Sequence, residues 1–124
     1  MEIPEKLLYT KDHEWLSINN NTAIIGITDY AQGELGDIIF IEFPEIGAKF
    51  NQGDPMGTIE AVKTVADIYA PISGRVGEVN RRLEEEPDII NREPYEGGWI
   101  VKLTSIPNDK SNLLSFKEYK SLIK

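Results

Sequence analysis

Short β-branched runs, cut at close intervals by proline and glycine, constrain this chain most. Residues 38–43, IIFIEF, form a strong strand signal that stops at Pro44. Residues 23–27, AIIGI, are similarly rich in β-branched side chains. Residues 7–16 hold extended-type residues, and further strands are expected at 56–62, 65–70, 75–79 and 99–103. Turn signals fall between them at EIG (45–47), NQGD (51–54) and Ser73-Gly74. Runs this short and this closely spaced predict a β-sandwich or small barrel: two small antiparallel sheets enclosing a core. No apolar run is long enough to span a membrane.

Two helices are expected to interrupt the strands. Thr28 caps TDYAQGEL, with Gly36 as the stop. Ser115 opens SFKEYKSLIK, where Glu118 completes a capping box. Phe116, Tyr119 and Ile123 then share one face, as in a lid packed on the sheet. The polar segment 80–98 reads as a long wrapping connection with a helical turn near residues 87–90. Glu84 to Glu86, ahead of Pro87, read as a solvated turn.

Composition narrows the chemistry. The 124 residues suit one domain, residues 1–124, around one core. A formal net charge of −8 argues against nucleic-acid and anionic-membrane binding and favours basic partner surfaces. There is no cysteine, so no disulfide, zinc thiolate or thiol nucleophile is available. One histidine, His13, excludes a zinc site of several imidazoles. No P-loop, dinucleotide or nucleophile-elbow motif is present, so an independent enzyme is the weakest reading. The N-terminal residues carry acids and no long apolar core, unlike a signal or transit peptide, and a cytoplasmic protein is expected.

The stretch IEAVKTVADIYAPISG, residues 59–74, holds one cation, Lys63, between two strand-like halves. A hairpin with Lys63 at its tip is the economical arrangement. Val62-Lys63-Thr64 lacks the Gly or Asn that tight primed turns prefer. The flanking strands must impose the turn, and such local conflicts gather at functional sites. An exposed lysine is a poor nucleophile but a good target for acylation by another enzyme. Glu60 and Asp67 flank it and are candidate recognition groups for that enzyme.

The stretch IEAVKTVADIYAPISGRVGEVN resembles the lipoyl-attachment segment of the glycine cleavage H-protein family. The resemblance rests on Glu60, Val62, Lys63, Asp67, Ala70-Pro71-Ile72, Ser73-Gly74, Val76 and Glu78-Val79-Asn80. Tyr9-Thr10, His13-Glu14-Trp15, GITDYAQGELGD (26–37), FPEIG (43–47) and NREPYEGGW (91–99) extend it, in order, over nearly the whole chain. It implies a lipoyl-domain-like β-sandwich, or barrel-sandwich hybrid, with (R)-lipoate in amide linkage on Lys63.

It also implies a non-catalytic carrier, monomeric, without metal. Its partners would be glycine decarboxylase, the aminomethyltransferase, dihydrolipoamide dehydrogenase and a lipoate ligase or lipoyl transferase. The matching positions for a cleft that shelters the loaded arm are Glu14, Ile27, Ala31, Glu34, Leu35 and Asp67. Ile27, Ala31 and Leu35 also fit plain core packing, and Glu14 a solvated neighbour of Trp15. The chain departs from many relatives at Tyr30, Glu34 and Thr64-Val65. Those departures keep open an alternative user of the fold, a lipoate carrier of sulfur oxidation or a lipoate relay. A biotin carrier ranks low, because no methionines flank Lys63. An unmodified β-rich binding module is the remaining reading.

Overall fold

The computed structural model describes residues 1–124. Nine strands form: β1 (Leu8–Tyr9), β2 (Glu14–Asn19), β3 (Thr22–Ile27), β4 (Ile38–Glu42), β5 (Lys49–Phe50), β6 (Pro55–Ala61), β7 (Val65–Tyr69), β8 (Gly74–Val79) and β9 (Val101–Thr104). The helices are α1 (Asp29–Leu35), α2 (Arg82–Glu85), α3 (Ile89–Arg92) and α4 (Phe116–Leu122). Two antiparallel sheets result, one in the order β1-β2-β3-β9-β8-β5 and one in the order β4-β6-β7.

Alternation along the strands explains the layering. Leu16 pairs with Ile25 on the inner face of the larger sheet, and both are fully buried. Ile41 and Ile59 pair on the inner face of the smaller one. Both sheets feed one cluster of 21 buried residues. The outer face of the larger sheet carries Trp15, paired with Gly26. The indole lies over that glycine, where a Cβ would come within 2.6 Å of its Nε1. Trp15 Nε1 donates to the Pro94 carbonyl at 2.9 Å, pinning the returning chain against the sheet.

Both long-helix caps form as the sequence predicts. The Thr28 side chain accepts from Ala31 N–H, and Gly36 ends α1 at φ 78°, a value glycine tolerates. Ser115 and Glu118 close a reciprocal capping box. α4 lies over β1 at the edge of the larger sheet, and its expected face of Phe116, Tyr119 and Ile123 packs with Tyr9 and the outward-facing Trp15. Tyr119 stacks on Tyr9 with ring centroids 4.7 Å apart, and Tyr9 exchanges two backbone hydrogen bonds with Leu114. The β1 edge is thereby closed to foreign strands.

Residues 7–16 divide into β1 and the start of β2, separated by a tight turn with His13 at φ 67°. One reading needs correction: Glu84 and Glu85 lie in α2 rather than in a turn. The long connection carries the helical turn expected near residues 87–90 as α3, with α2 before it, both seated by fully buried Leu83, Ile89 and Ile90.

Candidate functional site

Lys63 stands exposed at the tip of the β6–β7 hairpin. Glu60 pairs with Val65, and Ala61 N–H donates to the Thr64 carbonyl at 2.8 Å to close the turn. None of the tip residues has a positive φ, so the turn is not of a primed type. Support comes from outside the hairpin. Val62 N–H donates to the Asp37 carbonyl at 3.0 Å, tying the tip to the segment entering β4. The flanking strands and this brace hold a turn that the local sequence does not favour.

A cleft of 300 Å³ lies between α1 and the β6–β7 hairpin. Glu14, Ile27, Ala31, Glu34, Leu35 and Asp67 all line it, so the six positions expected for the arm come together. Asp12, His13, Tyr30, Ile59 and Ala66 line it as well, and sequence reasoning did not assign them to it. Ile59 and Ala66 are cross-strand partners, a pairing visible only once the hairpin register is known. Ile27 and Ala31 belong to the core as well as to the cleft wall, and Leu35 packs against the core. Glu60 faces away on the exposed surface of the smaller sheet.

Glu14 is not a solvated neighbour of Trp15. It is 2% exposed, because strand alternation turns Trp15 outward and Glu14 inward beside Ile27. Its carboxylate accepts from the Thr10 hydroxyl at 2.9 Å and from Tyr69 N–H at 3.0 Å. Burial pushes its pKa up to about 7, against the restraint of those two hydrogen bonds. The cleft therefore holds, at its buried end, a carboxyl group poised to gain or lose a proton near neutrality.

A second polar chain braces the cleft. His13 Nδ1 lies 2.9 Å from the Tyr119 hydroxyl, which lies 2.7 Å from Thr28 Oγ1. Burial lowers the His13 pKa, which favours a neutral ring accepting from tyrosine. The His13 ring rests at 4.9 Å from that of Tyr30. Glu34, one helical turn beyond Tyr30, raises the phenol's pKa. On the far side of α1, Asn91 Nδ2 donates to Gln32 Oε1 and the Gly36 carbonyl, and Asn91 Oδ1 accepts from Ile38 N–H. One side chain thus fixes the end of α1 against the start of β4.

Two antiparallel sheets, a lysine at a hairpin tip and an adjoining cleft define a lipoyl-domain-like protein. A model described as "Glycine cleavage H-protein" matches residues 7–124, and the chain belongs to that family. The glycine cleavage system H protein of Staphylococcus haemolyticus is 49% identical over 124 residues, covering 99% of this chain and 98% of that protein. The protein of the same name from Listeria welshimeri is 52% identical over 120 residues, 96% of each chain. A crystal structure of a glycine cleavage system H protein from Mycobacterium marinum superposes with a TM-score of 0.87 at 35% identity. It spans 96% of this chain and 97% of that one.

Proposed function

We propose that this protein is the lipoyl-carrying shuttle of a glycine cleavage system, folded as one carrier domain and acting in the cytoplasm as a monomer. The observation that carries the reading is Lys63, a lone exposed ammonium on a braced hairpin beside a cleft. An amide at its Nζ meets no steric barrier, and the fixed tip gives an attaching enzyme a defined target. Glu60 and Asp67 are the acids such an enzyme would read.

Bound there, lipoate would supply the two sulfurs that the cysteine-free chain lacks, and with them the attachment point for a one-carbon cargo. The chain's own residues shelter that cargo. Ile59, in the cleft wall, is four residues from Lys63, roughly 13 Å along an extended strand. An acylated lysine folded back along the hairpin spans such a distance. Ile27, Ala31 and Leu35 exclude water from the chain, which protects a group that water would remove. Glu14, ionised, pairs with the cationic amine, and Asp67 offers a second carboxylate at the rim. The protein itself catalyses no step. It presents the arm in turn to glycine decarboxylase, the aminomethyltransferase and dihydrolipoamide dehydrogenase, at the raised effective concentration that tethering provides.

The names of the relatives favour glycine over a sulfur-oxidation pathway or a lipoate relay. The test is reconstitution of glycine cleavage with purified partner enzymes. Lys63→Arg keeps the charge but removes the acylable amine. The expected result is an unchanged fold with no glycine-dependent turnover. Turnover with that variant would refute the reading.

A further inference from the structure

Seven large apolar side chains are exposed, and four of them gather at the lysine end of the smaller sheet: Ile39 at 49%, Phe40 at 54%, Val62 at 66% and Val65 at 60%. Strand register makes them one surface. Phe40 pairs with Glu60, which pairs with Val65, so the three stand in a row across the outer face of β4, β6 and β7. Ile39 sits at a register shift beside that row, and Val62 directly precedes Lys63. Exposed apolar groups clustered against a modification site mark a contact surface.

Charge defines what fits there. Residues 12–74 carry ten acids and two lysines, a formal charge of −8, and the remaining residues carry eleven acids and eleven bases. The whole net charge of the protein therefore lies in the segment that builds the hairpin and cleft. Glu42 and Asp67 occupy the next register row on the same outer face, joined through Thr58.

We propose that this face docks the enzyme that attaches lipoate, through an apolar depression rimmed by lysine or arginine side chains. The inference rests on the lipoyl-carrier reading and says which surface is gripped. The reason for choosing this partner is reach. Before modification no arm extends from the tip, so the attaching enzyme must approach Nζ itself. Enzymes acting on the finished arm meet its distal end and need no contact with the hairpin. In the attachment step, neutral Nζ of Lys63 attacks the carbonyl carbon of a lipoyl-adenylate mixed anhydride brought by the enzyme. The amide C–N bond forms, AMP leaves with the electron pair of the broken C–O bond, and the Nζ proton passes to solvent.

The test uses the unmodified full chain with purified lipoate–protein ligase, lipoate and ATP, reading kcat and KM for the protein substrate. Phe40→Ala and Val65→Thr are expected to raise KM on the order of tenfold, as interface anchors do, with kcat nearly unchanged. Ile46→Ala serves as the control, since Ile46 is equally exposed at 54% but lies beyond the far end of β4. Its KM is expected to match wild type. Acetylation of Lys63 by a small N-hydroxysuccinimide ester is expected at one rate in all variants, which separates docking from tip distortion. Equal KM for wild type, Phe40→Ala and Val65→Thr overturns the docking proposal and leaves the carrier reading intact. Wild-type protein that the ligase never acylates at Lys63 overturns both. A wild-type dimer in sedimentation that Phe40→Ala dissolves assigns the face to a second copy and also overturns the proposal.

Discussion

At the scale of single residues, Glu14 carries the most consequence. Carboxylates are rarely fully buried, so nothing in EWLSIN warned that Glu14 takes the inward register position beside Leu16. The burial has a thermodynamic signature. Its folded pKa, about 7, lies above the ordinary 4.5, so folding retains a proton that the unfolded chain releases between those values. Its contribution to stability is therefore fully present below pH 4.5 and is lost as pH rises through 7. His13, with a lowered pKa, acts oppositely and costs stability as pH falls below its ordinary value of 6.5. Comparing Glu14→Gln with wild type cancels the histidine contribution. The variant should be more stable than wild type at pH 8, by up to about 3 kcal/mol, and equal to it near pH 4.5. Chemical denaturation across that range measures this, and parallel profiles would contradict it. On the proposed carrier reading, the same substitution should shorten the lifetime of an amine-loaded arm, because the buried carboxylate of the cleft is gone.

Asn91 gives a second residue-scale prediction. Its amide serves three groups on α1, its cap and β4, at 2.9 to 3.0 Å. Asn91→Ala leaves a part-buried carbonyl and an N–H without partners, and should cost about 2 kcal/mol in urea denaturation. A loss near zero would mean that water replaces the side chain at no cost. Gly26→Ala should be at least as damaging, since its Cβ overlaps the Trp15 indole that pins residue 94.

At the scale of elements, what was legible followed from local chemistry. The runs at 38–43, 56–62 and 65–70 became β4, β6 and β7 within a residue or two, because β-branched residues and turn breakers agree there. Thr28 and Ser115 placed both longer helices through their caps. Elements whose support is tertiary were missed or, like α3 at the helical turn expected near residues 87–90, legible only in part. α2 and α3 span four residues each and have no side-chain cap; buried Leu83, Ile89 and Ile90 hold them in place. β5 spans two residues and exists through its pairing with β8. The cleft was half legible. The resemblance supplied six wall positions, while Ile59 and Ala66 required the register and His13 required the turn at φ 67°. The hairpin tip is an element-scale device too. Because Val62 N–H is braced by Asp37 rather than by a glycine turn, Lys63→Arg should melt within a degree or two of wild type. A large drop in melting temperature would show that Lys63 itself supports the turn.

At the scale of the whole molecule, the two sheets divide the work. The larger sheet is covered on both faces, by the main core within and by Tyr9, Trp15 and Tyr119 without. The smaller sheet leaves its outer face open around Lys63, with Glu42, Glu60 and Asp67 in its register rows. Encounter with basic partner surfaces should therefore weaken as salt screens it. Raising ionic strength from about 0.05 M to about 0.5 M shortens the screening length severalfold and should raise the KM of the ligase for this protein. An invariant KM would remove electrostatic steering from the account.

The carrier reading requires Lys63 to be acylated with lipoate in the cell. Intact mass and peptide mapping of protein purified from its native host address it most directly. One lipoyl increment is expected, confined to the peptide containing Lys63. An unmodified Lys63, in a host that lipoylates its other carrier proteins, would contradict it.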